Sequence, residues 1–152
     1  MTSINLLNLV KIGQLDPVPP SADMVQRMFI SARRQLDDAG IAQASPATRF
    51  DCAYNAIRQA ADLGLYINGF RTSRNRPGHH QTQIQCLVHT LGVDESTVRV
   101  LDGLRRQRNG SDYDAEPVTT AALQECLKQA KAILALVEKV LKDRPEFNGS
   151  GP

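Results

Sequence analysis

The chain predicts an all-α fold: an antiparallel bundle of four main helices with a shorter helix and an N-terminal arm. Three observations point there. Aromatic residues make up 5% of the sequence and tryptophan is absent, while alanine and leucine abound, which favours helices packed closely through small side chains. Apolar residues recur at three- and four-residue steps in one segment after another, and no alternating apolar–polar run of useful length marks a strand. At 152 residues the chain can bury a core without disulfides or a metal. The expected organisation is an arm over 1–20, a bundle over 21–143 and a disordered tail over 144–152.

Leu6, Leu7, Leu9 and Leu15 precede the run Asp16-Pro-Val-Pro-Pro20, which cannot be helical, so this segment reads as a short arm that packs onto the rest. Ser21 and Asp23 offer N-caps to a first helix whose stripe is Val25, Met28, Phe29, Ala32, Leu36 and Ala39, with Gly40 as its stop. After Ser45-Pro46, the stripe Phe50, Ala53, Tyr54, Ile57, Ala60, Ala61 and Gly64 gives a second helix to about Gly69, small enough along its length for a neighbour to approach closely. The segment Arg71-Thr-Ser-Arg-Asn-Arg-Pro-Gly78 has turn composition. It forms a basic loop that opens into His79-His80 and a third helix through Leu91. Gly92-Val-Asp-Glu-Ser96 separates a fourth helix, with Val98, Leu101 and Leu104 on one face, Arg105 and Arg108 on that same face, and Asn109-Gly110 as the stop signal. After Pro117 a long last helix carries Leu123, Leu127, Ala130, Leu134, Val137 and Leu141, widened by Cys126, Ile133 and Val140.

A formal net charge of +2 is too small to imply nucleic-acid binding, so the placement of charge matters more than its sum. Cys52, Cys86 and Cys126 are odd in number and lie in helix-like apolar patterns, which predicts reduced, buried thiols and a cytoplasmic location. The opening Met1-Thr-Ser-Ile-Asn-Leu-Leu-Asn-Leu-Val-Lys11 lacks a basic start and a long apolar run, so neither a signal peptide nor a membrane span is expected. Cys86-Leu-Val-His89 has a spacing found in zinc sites, but no second pair accompanies it, and neither a metal nor another cofactor is expected. Phosphate-cradling glycine loops, convincingly spaced carboxylate pairs and Gly-x-Ser-x-Gly elements do not occur, which removes several common enzyme classes.

Leu104-Arg-Arg-Gln-Arg-Asn-Gly-Ser-Asp-Tyr-Asp114, lying between one helix and a long Ala/Leu-rich final helix, resembles the HEPN superfamily. That motif is an Arg, often followed by Asn, then a His about five to seven positions after the Arg. Arg49-Phe-Asp-Cys-Ala-Tyr-Asn-Ala-Ile-Arg58, then Gly69-Phe-Arg71, and Pro77-Gly-His-His-Gln-Thr82 resemble small bacterial members, so the likeness spans residues 21–143. It implies a helical bundle, commonly a homodimer, in which the Arg motifs of both protomers meet near a shared cleft. Many members are metal-independent ribonucleases of toxin-antitoxin, defence or RNA-processing systems, others bind RNA or nucleotides, and some act beside a nucleotidyltransferase. This chain departs from the motif by placing Tyr113 where the histidine after Arg108 would stand.

Removing the proton from a 2′-hydroxyl suits an imidazole, with a pKa of about 6.5, far better than a phenol near about 10. The resemblance and the departure together lead to the expectation of an RNA- or nucleotide-phosphate-binding protein. Arg108 would bind the phosphate, with Arg105 on the same face, Asn109 fixing a turn and Tyr113 stacking on a base. Arg71, Arg74 and Arg76 would supply a further anion-contacting surface. His79 and His80 are the residues able to replace the missing base, in which case the protein is a metal-independent endoribonuclease. Their place at a helix start also favours an anion without chemistry. A third reading is a non-catalytic protein-interaction module whose dimer face and N-terminal arm dock a partner, with Arg108 structural and bonded to Asp112 or Asp114 in a last helical turn; an antitoxin is a candidate partner under the resemblance.

Overall fold

The computed structural model describes residues 3–75 and 77–148, and within them all but the side chains of Asp112 and Tyr113. The chain is mostly helical, with one small antiparallel sheet. In order it forms α1 (Ile4–Lys11), β1 (Leu15–Pro17), α2 (Ala22–Ala39), α3 (Pro46–Ile67), β2 (Phe70–Thr72), α4 (His79–Gln85), α5 (Leu87–Thr90), α6 (Glu95–Asp114) and α7 (Thr120–Lys142), then a 3-10 turn at Pro145–Phe147. No helix among the described residues is long and apolar enough to cross a membrane.

The long helices begin where side chains can satisfy their first amides. Ser21 accepts from Met24 N, Ser45 from Thr48 N, Asp94 from Thr97 N and Thr119 from Ala122 N, each meeting one of the amide groups a helix start leaves open. At the far end of α2, the Arg49 guanidinium donates to the Ala39 carbonyl at 2.8 Å and so ties the close of one helix to the start of the next. Helix α3 is central, packing most extensively on α2 and then on α7. Its stripe supplies Phe50, Ala53, Tyr54, Ile57, Ala60 and Ala61 to the core, each at most 1% exposed, and alanine at these positions lets the neighbours come close.

Gly64 shows how close. A Cβ there would lie 2.9 Å from Thr90 Oγ1, and that hydroxyl is held by its bond to the Cys86 carbonyl at 3.2 Å. Gly64→Ala should therefore cost about 1–3 kcal/mol through overpacking of α3 against α5. Urea unfolding checks this, and an unchanged midpoint would mean that α5 gives way freely.

Four expectations need correction. The arm is not irregular throughout: α1 folds on Leu6, and β1 pairs with β2 in the register Leu15↔Thr72, Asp16↔Arg71, Pro17↔Phe70. Leu6, Leu15, Leu65, Phe70 and Cys86 form a second apolar cluster beneath it. Three-residue strands are too short to leave an alternating pattern, and Arg71 accordingly sits in a strand and not in the basic loop. The third helix is two pieces, α4 and α5, hinged at Cys86. Asn109-Gly110 does not stop the fourth helix. Helix α6 runs on to Asp114 and closes with Ala115 in the left-handed region at φ 55. A Cβ at Gly110 would meet only the carboxylate end of the exposed Glu116 side chain, at 2.6 Å. Finally, part of the supposed tail is packed: Phe147 is 5% exposed, and Gln26 Nε2 donates to its carbonyl at 2.6 Å.

Candidate functional site

Asp51, Tyr54, Arg58 and Asp62 follow one another along α3 at steps of three and four, which places them on one helix face. Two other elements pack there. Helix α6 brings Arg105 and Arg108, one turn apart, and α4 brings His79, His80 and Gln83. Their junction gathers most of the chemistry that the sequence distributes over distant segments.

The Arg108 guanidinium carbon lies 5.2 Å from the centroid of the Tyr54 ring, a cation–π distance, and its Nε is 3.7 Å from Asp51 Oδ1. Arg108 thus meets two groups of α3; of the partners expected on its own helix, the Asp112 side chain lies outside the described residues. Arg105 Nε donates to Asp102 Oδ1 at 3.0 Å, and Arg106 donates to the other oxygen of the same carboxylate at 2.9 Å. One acidic group therefore answers two guanidiniums. Tyr54 is 1% exposed, and its hydroxyl has no hydrogen-bond partner among the described residues. Burial pushes the phenol up to about 12, against the opposing pull of Arg108, Arg105 and Arg58.

His80 stands within electrostatic reach of the same arginines. Its imidazole is pushed down to about 4, first by partial burial and then by His79, Arg58, Arg108 and Arg105. The two histidine rings meet edge-on, with centroids 4.2 Å apart and planes at 67°. At neutral pH His80 is uncharged, with a lone pair available. Its folded pKa lies below the unfolded value of about 6.5, so between that value and about 4 the unfolded chain binds the proton more readily. Stability is full above this window and falls as pH drops through it. With the side chain only half-buried and so partly screened by water, the loss should be on the order of 1 kcal/mol. Urea midpoints measured from pH 7 to 4 should fall less steeply in His80→Gln, and identical slopes would place the titration elsewhere.

Arg58 joins this cluster to a cleft of about 390 Å³. The cleft is bounded on its polar side by Arg58, Asp62, Arg71, Arg74, His79 and Gln83. Burial raises the Asp62 pKa, while Arg58, a hydrogen bond from Gln83, Arg74 and His79 act in the other direction. Arg71 and Arg74 are exposed at the rim.

Of the residues singled out in the sequence, Arg105, Arg108 and His80 come together, and Arg71, Arg74 and His79 meet around the neighbouring cleft. Asn109 is exposed inside α6 and fixes no turn, because the helix continues through it. Arg76 and the Tyr113 side chain lie outside the described residues. Asp51, Tyr54, Arg58 and Asp62 are not among the site residues the sequence predicts. The signal for them is a row of polar groups bordering an otherwise apolar stripe on α3, in which Tyr54 by its spacing counts only as core. Cys86 and His89 do not form a pair: Cys86 is buried, with burial pushing its thiol up to about 11, and His89 is exposed. Cys126 is buried, but Cys52 is only half-buried, a correction to the expectation of three buried thiols. No family model, curated protein or solved structure matches this chain.

Proposed function

We propose that this protein binds RNA, or a nucleotide, through its phosphate at the junction of α3, α4 and α6, as a HEPN-like module with a departed motif. The observation that carries the reading is the convergence of Arg58, Arg105 and Arg108 around buried Tyr54 and beside His80. Each guanidinium brought there from α3 or α6 is a planar fork that can meet two phosphate oxygens. Asp51 and Asp102 hold Arg108 and Arg105 in place. Such ordering reduces the entropy lost when the anion arrives. In this reading α2, α3, α6 and α7 are the antiparallel bundle, a second copy completes a shared cleft, and an antitoxin or nucleotidyltransferase is the natural protein partner in the cytoplasm. Filter binding of mixed cellular RNA to the chain and to Arg108→Ala tests the core claim. Retention that is indifferent to Arg108 would remove it.

A second reading is metal-independent endoribonuclease activity, favoured by His80 being unprotonated at neutral pH next to three arginines. His80 would take the 2′-hydroxyl proton as the 2′-oxygen bonds to phosphorus, Arg108 would stabilise the negative charge on the phosphorane oxygens, and the P–O5′ bond would break with the 5′-oxygen taking a proton from water. His79 belongs to the cleft side and is the weaker candidate. An imidazole depressed this far is a poor base until a bound phosphate raises its pKa, so binding precedes chemistry in this scheme. RNA turnover in excess chelator, lost in both His80→Gln and Arg108→Ala, is the expected result if cleavage occurs.

A further inference from the structure

The cleft beside the arginine cluster has a composition that the phosphate site alone does not explain. One wall is apolar, formed by Val18, Met24, Met28 and the ring of Tyr66. The ring is fixed, because the Tyr66 hydroxyl accepts from Ser21 N at 3.0 Å. The polar part of the lining presents acceptors. Gln83, 4% exposed, donates through Nε2 to Asp62 Oδ1 at 3.0 Å and to Thr72 Oγ1 at 3.4 Å. That orientation is imposed, since an ionised carboxylate can only accept. It leaves Gln83 Oε1 buried without a donor among the described residues, so the acceptor the cleft itself offers is the Asp62 carboxylate. The rim carries Arg71 and Arg74. The β1–β2 pairing positions Arg71 and brings Val18 over the cleft, with Val18 N donating to the Gly69 carbonyl at 2.8 Å.

We infer that this cleft is a nucleobase pocket: a guanine nucleotide lies with its ring against Tyr66 and the methionines, its donor edge on Asp62 and its phosphate on Arg71 and Arg74. A flat ring laid against a wall of one fixed aromatic side chain and two thioethers gains dispersion that a bare phosphate cannot use. A carboxylate repels phosphate, which sends the anion to the rim and reserves Asp62 for N–H groups. Guanine alone among the RNA bases offers two adjacent donors, N1–H and the 2-amino group, to one carboxylate. At about 390 Å³ the space falls within the range of about 300–1,000 Å³ usual for small-ligand pockets. Arg58 lies on both the cleft and the arginine cluster, so a guanosine seated here would direct the adjoining phosphate of an RNA strand toward Arg105 and Arg108. The inference rests on the phosphate-binding reading and adds base selection to it.

Calorimetric titration of the full chain with GMP, AMP, CMP, UMP and inorganic phosphate tests the inference. GMP should bind about tenfold or more tighter than AMP, the discrimination expected of a paired donor–acceptor contact to a base edge, and inorganic phosphate should bind weakest. Asp62→Asn should erase the preference for GMP. Arg74→Ala, at an exposed position that leaves folding intact, should weaken GMP about tenfold while leaving guanosine unchanged. A flat nucleotide series, or a GMP preference indifferent to Asp62→Asn, overturns the pocket. Loss of Arg108-dependent RNA retention in the parallel filter assay would bring down the phosphate reading as well, whereas its persistence would show that the pocket alone has failed.

Discussion

Arg108→Ala should weaken RNA binding by about 10- to 100-fold, the range expected when charge-assisted hydrogen bonds to a phosphate are removed. The size follows from where the guanidinium sits. It is half-buried over the Tyr54 ring at 5.2 Å and tethered near Asp51 at 3.7 Å, so it is already oriented and partly desolvated before an anion arrives. An exposed arginine contributes less, because water screens it and its rotamers must be ordered on binding. Arg106 supplies the internal comparison: its side chain is 70% exposed, and Arg106→Ala should change affinity only slightly. The log–log slope of affinity against salt should also become shallower by about 1 in Arg108→Ala, one phosphate contact having been lost. Equal effects from the two substitutions would mean that only diffuse positive charge attracts RNA and that no built site exists.

The largest expected effect on stability is at Phe50. The ring is fully buried in the main core, and its carbonyl accepts a weak bond from Cys126 Sγ at 3.9 Å, which marks close contact between α3 and α7. Phe50→Ala removes a large apolar side chain and leaves a cavity, at a cost of about 3–5 kcal/mol. For a chain of this size that corresponds to a fall in Tm of about 10 °C. The residue precedes Asp51, so a loosened α3 start should also relax the hold on Arg108 and lower RNA affinity secondarily. Calorimetric melting of Phe50→Ala beside Phe50→Leu measures the cavity contribution. A loss below about 1 kcal/mol in the alanine variant would show that α7 collapses into the gap.

Much of the helical fold was legible because helix formation leaves a local record. The stripes on α2, α3 and α7 repeat at three and four residues, Ser21 caps the start of α2, and Gly40 closes it, though in a right-handed conformation any residue could adopt. The predicted core residues Phe50, Ala53, Tyr54, Ile57, Ala60 and Ala61 are buried. Arg105 and Arg108 were legible as one face of α6, since their spacing alone sets it.

What the tertiary structure alone decided has a different physical origin. The end of α6 turned on a local preference of about 1 kcal/mol against glycine in a helix, which is too small to stop a helix that runs on through Gly110 to Asp114. The pairing of 15–17 with 70–72 joins segments more than fifty positions apart, and strands of three residues carry too little pattern to announce it. The meeting of Arg58 with His80 and Arg108 depends on how α3, α4 and α6 pack, and no spacing within any one of them encodes that meeting. Periodicity along a chain records which face of each helix turns inward. It does not record which charged edges come to border one another, because that follows from close packing among side chains distant in sequence.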